Sequence, residues 1–372
     1  MAEMERTIAY IQLNAVEENL RNIRKFLKPG TKTLCVVKAD AYGHGAVQVS
    51  KRLEELSVDY LGVATIKEGC DLRKNGIRLP VLVMSGLMPW DNLDHVLEND
   101  LSLVVYDLNT LTRIAEKGSS AGKSVNVHVK IDSGMGRLGF RPDELPDLAG
   151  LIRSDRSIVC EGLMSHFASS ELRDEYGLMQ VSRFQDAKKT LENSGVSPVV
   201  THMANSGAVV QYPEAHFDMV RTGINLYGSY SDENLTKKIE LRQVMKLASR
   251  IALIREFPAG SALGYGRTFV TQKNTRIAYV PVGYADGYPR SLSNKGFVLI
   301  NGYKCFIVGT ICMDWFLADI SDLHQVDIGD EVILIGQGGR HTITADDIAR
   351  QTGTIPYEVL CNISKRVPRV YV

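Results

Sequence analysis

Up to about residue 240, short apolar runs alternate with segments that have the three-to-four-residue spacing of amphipathic helices. The apolar runs are rich in β-branched residues, which is typical of buried strands. Predicted strands lie at 33–37, 60–64, 81–84, 102–105, 125–131, 158–164, 198–203 and 217–220, with helical patterns such as 46–56, 108–117 and 182–194 between them. Eight strand–helix units in this order are the plan of a (β/α)8 barrel, an α/β fold.

The main alternative to this barrel is an open, doubly wound parallel sheet. Such a sheet usually carries a glycine-rich phosphate-binding motif after its first strand. The segment that follows 33–37 has no GxGxxG pattern. The barrel, over residues 10–240, is therefore the favoured architecture.

The hydrophobic pattern changes after about residue 240, where helical spacing nearly disappears. Predicted strands lie at 247–257, 275–282, 296–300, 304–308, 316–320 and 331–335, with turns at 258–260, 301–302 and 336–339. One helix is expected at 346–351, with Thr344 as its N-cap. Residues 241–372 are thus expected to form a mostly β domain. We expect a strand at 7–12, and with it the segment 1–9, to join this domain.

Composition limits the possible functions without selecting one. The 372 residues are 44% hydrophobic and carry no formal net charge, with no basic stripe, so a nucleic-acid partner is not expected. No apolar run is long enough to cross a membrane, and the first residues lack the plan of a signal peptide, which predicts a cytoplasmic protein. Six scattered cysteines predict buried free thiols and no metal site.

Polar residues gather at the predicted C-terminal ends of the barrel strands, the face where barrel enzymes carry their chemistry. They are Lys38, Lys130, Asp132, Arg137, His166, Asn205, Ser206, Arg221 and Gly223. A lysine in a dry pocket is a nucleophile toward carbonyl groups. A lone Lys38 at a strand end would more commonly extend to solvent.

This group of cationic and hydroxyl side chains indicates an anionic ligand. The Ser206 hydroxyl and the backbone around Gly223 are suitable phosphate donors. Together the residues favour a Schiff-base enzyme with a phosphorylated ligand, either an aldolase or a pyridoxal-phosphate enzyme. They do not distinguish between these two. His128, inside the fifth strand, is better explained as a core histidine.

Ten sequence blocks, in order along nearly the whole chain, resemble bacterial alanine racemases. The segment 37–45 (VKADAYGHG) resembles their pyridoxal 5'-phosphate (PLP) signature. The other blocks are KIDSGMGRLG at 130–139, EGLMSHF at 161–167, ANSG at 204–207, VRTGI at 220–224, LGYGR at 263–267, GYADGYPR at 283–290, CMD at 312–314, IPYE at 355–358 and RVPR at 366–369. Any one block is weak, whereas ten in order are specific.

The resemblance implies a two-base enzyme. Lys38 would hold PLP as a Schiff base and exchange the α-proton on the D-alanine side, and Tyr265 would exchange it on the L-alanine side. Because these residues belong to different domains, the resemblance implies a head-to-tail homodimer in which Tyr265 completes the partner's site. Cofactor contacts are implied for Tyr42, Arg137, His166, Asn205, Ser206, Arg221, Gly223, Ile224 and Tyr357, and substrate contacts for Arg137 and the Met313 backbone.

Two cations have particular implied roles. Arg221 would face the pyridine nitrogen, and a guanidinium with a pKa above about 12 does not protonate it. The electron sink is then weaker, and side reactions such as transamination are suppressed. Lys130 would lie beside Arg137, and in the family this lysine is often carbamylated by CO2. We predict that modification here; the alternative is an ordinary pair between Lys130 and Asp132.

The residues expected at the substrate entrance depart from the family pattern in part. The implied entrance residues are Glu171, Tyr284, Arg290 and Ile355. Thr310 stands where many relatives have an arginine, and Trp315 where a smaller residue is common. These differences leave the breadth of substrates open.

The resulting prediction is PLP-dependent racemisation of L-alanine to D-alanine, which would supply peptidoglycan synthesis in a bacterium. A serine, lysine or broad-specificity racemase of the same family is the main alternative. Related amino-acid decarboxylases would carry an acidic residue in place of Arg221, and non-enzymatic single-barrel PLP proteins lack the second domain. An aldolase would need neither Tyr265 nor Arg221.

Overall fold

The computed structural model describes residues 5–236 and 238–372. Strand β1 (Thr7–Ile11) and helix α1 (Leu13–Arg24) precede a closed barrel of eight parallel strands. These are β2 (Lys32–Val36), β3 (Tyr60–Val63), β4 (Val81–Val83), β5 (Leu101–Val105), β6 (Val125–Lys130), β7 (Ile158–Met164), β8 (Val200–His202) and β9 (Met219–Thr222). Pairing of β2 with β9 closes the barrel. The predicted barrel is confirmed, and each strand end lies within two residues of its predicted place.

Helices connect the barrel strands. They are α2 (Lys38–Gly43), α3 (Ala46–Glu55), α4 (Ile66–Lys74), α5 (Asp94–Glu98), α6 (Leu108–Ala121), α7 (Leu145–Ser154), α8 (Glu175–Asn193) and α9 (Ser206–Gln211). Polar N-caps define several starts: Thr65 and Glu68 form a capping box on α4, and Asp107 and Asp174 accept first-turn amides of α6 and α8. The loops at the C-terminal face of the barrel therefore end at these N-cap residues.

The rest of the chain forms a mostly β domain, as predicted. Its elements are β10 (Met245–Arg250), β11 (Leu253–Phe257), β12 (Ala262–Leu263), β13 (Phe269–Val270), β14 (Thr275–Val280), β15 (Phe297–Ile300), β16 (Tyr303–Val308), β17 (Phe316–Asp319), β18 (Glu331–Gly338), β19 (His341–Ile343), α10 (Ala345–Thr352), α11 (Pro356–Cys361) and β20 (Arg369–Tyr371). The main sheet has the order β11-β14-β17-β16-β15-β18-β10-β1-β20. The N-terminal strand β1 joins it as expected, although residues 1–4 of the predicted 1–9 lie outside the described residues.

Several local predictions were wrong. The strand expected at 247–257 is two strands, because the chain breaks at 251–252. The turn expected at 336–339 begins later, since β18 continues to Gly338 and pairs there with His341. Helix α11, which begins at Pro356, was not predicted. The cysteines are free, but only Cys35 and Cys305 are buried and Cys361 is exposed.

No helix within residues 5–236 or 238–372 is long and apolar enough to cross a bilayer.

Candidate active site

A cavity of about 130 Å³ opens where the barrel strands end. Its lining consists of Val36, Lys38, Tyr42, Met84, His166, Asn205, Ser206, Arg221, Gly223, Ile224 and Tyr357. Nine of these were predicted as site residues, and Val36 and Met84 were not. The structure therefore brings together lysine, arginine and hydroxyl side chains from strands that are far apart in sequence.

Lys38 begins an unusual turn directly after β2. The four residues 39–42 have φ between 51° and 53°, so α2 is a left-handed turn. None of the four is glycine, and the left-handed conformation costs each about 1–2 kcal/mol. Such a conformation persists only where its surroundings hold it.

Two side chains of the barrel hold this turn by its backbone. The Glu68 carboxylate accepts the Ala39 N–H at 2.8 Å while also capping α4. The His44 Nδ1–H donates to the carbonyls of Ala41 and Tyr42 at 2.9 and 3.0 Å. Because carbonyls only accept, the proton of His44 is on Nδ1. His44 is thus part of the scaffold that aims Lys38.

The second domain holds the end of the same turn through Arg369. Its Nε donates to the Gly43 carbonyl at 3.0 Å. Its terminal nitrogens donate to the carbonyls of Ile363, Ser364 and Val367, each at 2.6 Å. One guanidinium therefore ties the C-terminal segment of the chain to the lysine turn in the barrel.

The environment of Lys38 favours its neutral amine. Burial lowers the pKa of Lys38, and the nearby Arg137 guanidinium lowers it further. Glu68 acts in the opposite direction and more weakly. Arg137 itself is exposed and does not line the cavity. A lysine with a lowered pKa offers a lone pair for attack on a carbonyl carbon.

Hydroxyl groups converge near Gly223. The Gly223 N–H donates to Ser206 Oγ at 2.9 Å. A Cβ on Gly223 would lie 2.8 Å from Tyr42 Oη and 3.7 Å from Ser206 Oγ. Burial raises the pKa of Tyr42 and raises that of Tyr357 to about 12, so both phenols remain donors. Asn205 accepts the Ala208 N–H and begins α9 beside them.

Arg221 is fully buried, and most of its donors are used by the protein. One terminal nitrogen donates to the His202 carbonyl and to His202 Nδ1 at 3.2 and 2.9 Å. The other donates to the carbonyls of Ser165 and Met203 and to His166 Nδ1 at 2.7, 2.9 and 3.1 Å. Arg221 Nε has no partner within the described part of the chain. One buried N–H donor thus remains for a ligand.

The protonation of these groups follows from their contacts. Burial lowers the pKa of Arg221 to about 9, which leaves it cationic at neutral pH. Burial, and then the Arg221 charge, hold the pKa of His166 and His202 well below its ordinary value. Both imidazoles are therefore neutral, with Nδ1 accepting from Arg221. His202 was missed from sequence, although it ends a barrel strand like the predicted residues.

Lys130 is buried beside the cavity without the carboxylate partner considered from sequence. Burial, and then Arg137, lower the pKa of Lys130 to about 8. Asp132 accepts the N–H groups of residues 134–136 at 2.9, 2.9 and 3.1 Å and so shapes the loop that carries Arg137. Among residues 5–236 and 238–372, no ion pair joins Lys130 to Asp132. The alternative of an ordinary Lys130–Asp132 pair therefore loses its support.

Tyr265 and Met313 face solvent on the second domain. Their exposed fractions are 73% and 53%, and neither lines the cavity of its own chain. Thr310 Oγ1 donates to the Tyr265 carbonyl at 3.0 Å and so ties the Tyr265 turn to the loop that carries Met313. The predicted entrance residues Tyr284, Arg290 and Ile355 are likewise exposed. Glu171 lies near Tyr357, and the charge of Glu171 helps to raise the pKa of Tyr357.

Matches to two family models show the family to which this chain belongs. The family model of the alanine racemase N-terminal domain matches residues 11–231, and that of the alanine racemase C-terminal domain matches residues 244–371. The chain belongs to the alanine racemase family. The resemblance drawn from the ten sequence blocks is confirmed.

Relatives within the alanine racemase family align over almost their full length. The chain is 42% identical over 372 residues to alanine racemase 2 of Caldanaerobacter subterraneus subsp. tengcongensis, covering 100% of this chain and 96% of that protein. It is 41% identical over 374 residues to the alanine racemase of Desulfovibrio desulfuricans, with complete coverage of both.

Solved alanine racemases also share the fold. The enzyme of Clostridium difficile superposes with a TM-score of 0.93 at 41% identity, covering 99% of this chain and 96% of that one. The alanine racemase of Bartonella henselae, solved with covalently bound pyridoxal phosphate, has a TM-score of 0.88 at 28% identity, covering 99% and 100%.

Proposed function

We propose that this chain racemises alanine with PLP as its cofactor. One observation carries the proposal. A lysine with a lowered pKa and a buried arginine with one free N–H line the same cavity, next to a hydroxyl-rich space above Gly223. A lysine for an aldehyde, donors for a phosphate and a donor for a ring nitrogen are the three contacts that PLP requires.

The residues present fit PLP. The unpartnered Nε of Arg221 would donate to the ring nitrogen, Lys38 would bind the aldehyde carbon, and Tyr42, Ser206 and Tyr357 would bind the phosphate. Asn205, Ile224 and the Gly223 backbone would complete the phosphate site, and His166 would hold Arg221. When bound, PLP supplies an electron sink for the substrate α-carbon. Arg221 keeps its proton, so it limits that sink.

The acid–base groups would lie on opposite faces of the substrate. Lys38 would move the proton at the α-carbon on the D-alanine side, and the Tyr265 phenol would move it on the L-alanine side. Arg137 and the Met313 N–H would bind the substrate carboxylate. A proton removed on one face and returned on the other inverts the α-carbon, which is the reaction of an isomerase.

We also propose that two copies form a head-to-tail dimer. Support comes from Tyr265 and Met313, which are exposed and lie outside the cavity of their own chain. In this arrangement the barrel domain of one chain receives both residues from the second domain of the partner, which comprises residues 241–372 and strand β1. Glu171, Tyr284, Arg290 and Ile355 would form the substrate entrance.

Lys130 is proposed to be carbamylated. The amine nitrogen would attack CO2, forming a carbamate and releasing one proton. A pKa of about 8 leaves a fraction of the amine neutral near physiological pH, and the anionic product would compensate Arg137. The supply of D-alanine for peptidoglycan is the role that this chemistry suits.

The function is tested by α-proton exchange in D2O with L- and D-alanine, using serine and lysine as competing substrates. We expect alanine to exchange fastest; faster exchange of serine or lysine would favour the broader racemase instead. Lys38→Ala should abolish the visible absorbance of bound PLP. Tyr265→Phe should slow exchange from L-alanine far more than from D-alanine, whereas equal losses on both sides contradict the two-base assignment. Tyr303→Phe, an exposed tyrosine on β16, is the matched control.

A further inference from the structure

A line of hydrogen bonds runs from Arg221 through the interior of the barrel. Arg221 donates to His202 Nδ1 at 2.9 Å. His202 Nε2 is 2.9 Å from His128 Nδ1, and His128 Nε2 is 3.1 Å from Glu161 Oε2. Arginine can only donate and a carboxylate can only accept. The direction of each bond is therefore fixed, with both imidazoles neutral and protonated on Nε2.

The far end of this line is a carboxylate that is well supplied with donors. Glu161 Oε1 accepts the Tyr60 hydroxyl at 3.0 Å, and Oε2 accepts the Ser102 hydroxyl at 2.7 Å. Burial alone would raise the pKa of Glu161, but the hydrogen bonds from His128, Ser102 and Tyr60 outweigh it and lower the pKa. Glu161 is thus ionised and acts only as an acceptor.

The backbone of the β6–β7 pair makes room for this line of hydrogen bonds. Along the β6–β7 pair, Val127 faces Cys160 but His128 faces Gly162, so Glu161 is the extra residue of a β-bulge. A Cβ on Gly162 would lie 2.2 Å from His128 Nδ1, so glycine makes room for the ring. Barrel interiors are usually filled by branched apolar residues, and buried polar lines are costly unless every member is satisfied.

We infer that Glu161 is a positioning residue for Arg221, and this rests on the proposed function. Without an acceptor at its Nε2, His128 can move its proton to Nδ1. His202 must then carry its own proton on Nδ1, where it meets the N–H of Arg221. Two donors would face each other, and the guanidinium would lose the bond that fixes its orientation. Glu161 thereby keeps the free N–H of Arg221 toward the PLP ring nitrogen.

The inference is tested by Glu161→Gln in the PLP-loaded enzyme labelled with ¹⁵N-histidine. Glutamine has nearly the same shape but offers His128 either an acceptor or a donor, so the tautomer is no longer fixed. In the wild type, ¹⁵N spectra should show His128 and His202 neutral and protonated on Nε2. In the variant both should show a mixture, and the visible absorbance of bound PLP should shift.

Kinetics should separate positioning from binding. With the orienting bond to Arg221 lost part of the time, kcat should fall about tenfold, with KM for alanine within about twofold. Ser102→Ala is the matched control, because it removes one donor to Glu161 and leaves the carboxylate acceptor in place. It should keep the wild-type histidine spectra and kcat.

Four results would overturn the inference. They are a wild-type His202 protonated on Nδ1, unchanged spectra in Glu161→Gln, altered spectra with unchanged kcat, and an equal loss of kcat in Ser102→Ala. The first needs no variant, so it decides even where Glu161→Gln folds poorly. If the wild type exchanges no α-proton of alanine, the proposed function fails. The histidine spectra still report the tautomers of His128 and His202, so the two failures are distinguishable.

Discussion

Replacing Arg369 with methionine should loosen the left-handed turn that carries Lys38. Methionine keeps an apolar stem but has no donor for the Gly43 carbonyl, which Arg369 Nε now contacts at 3.0 Å. It also removes the bonds to the carbonyls of residues 363, 364 and 367. The variant therefore disconnects the C-terminal segment from the turn without changing the barrel.

The size of the effect follows from the bonds lost. A hydrogen bond from a charged donor contributes about 1.5–3 kcal/mol. The turn cannot make up such a loss by itself, because each left-handed residue already costs about 1–2 kcal/mol. Local opening should therefore become about tenfold to hundredfold more frequent. The reporters are the amides of Ala41 and Gly45, which donate within the turn to Val37 and Asp40 at 2.9 and 2.8 Å.

Hydrogen–deuterium exchange of peptides covering residues 38–46 measures this opening in the PLP-loaded enzyme. The matched control is Arg366→Met, in the same segment. Arg366 pairs with the half-exposed Asp314 at 2.8 Å and lies 3.6 Å from the buried Asp286, which keeps a closer partner in Arg6 at 2.8 Å. Neither carboxylate belongs to the lysine turn, so exchange of residues 38–46 should stay near the wild-type rate. Wild-type exchange in Arg369→Met, or equally fast exchange in both variants, would refute the reasoning.

Three further predictions concern the site. Gly223→Ala should weaken PLP binding about tenfold or more, because the new Cβ would lie 2.8 Å from Tyr42 Oη; unchanged affinity in equilibrium dialysis would contradict the phosphate site proposed there. Thr310→Val removes the donor to the Tyr265 carbonyl and should slow exchange from L-alanine several-fold but not from D-alanine. The pKa of Lys130 is about 8 when folded and 10.5 ordinarily, so the unfolded chain binds more protons between these values. In CO2-free buffer the free energy of unfolding should rise with pH across that window, and Lys130→Met should lose the rise in urea titrations.

The barrel and most of the cavity were accessible from sequence. Strands buried on both faces need continuous β-branched runs, and parallel topology brings their C-terminal ends together. Placing Lys38, Ser206 and Arg221 on one rim therefore required only the order of the strands. The strand and turn bounds of the second domain were harder to predict from sequence, because its strands are short and a shift of a few residues changes a strand into a turn.

The features missed from sequence depend on contacts between distant segments. The four left-handed residues before Gly43 are not glycines, and they are held by contacts of Glu68 and Arg369, which lie elsewhere in the chain. The partners of His128 in the interior line lie 33 and 74 positions away, at Glu161 and His202. A histidine inside a strand is usually a core residue, and only the positions of its neighbours reveal its orienting role.

We propose that each active site combines Lys38 of one subunit with Tyr265 of the other. Co-expression of Lys38→Ala and Tyr265→Ala chains with two different tags allows the mixed dimer to be isolated. In a head-to-tail dimer, one site of this species has both groups and the other has neither. The mixed dimer should therefore racemise alanine with about half the wild-type kcat per dimer, while both parent variants stay nearly inactive. A mixed dimer as inactive as its parents would contradict the shared site.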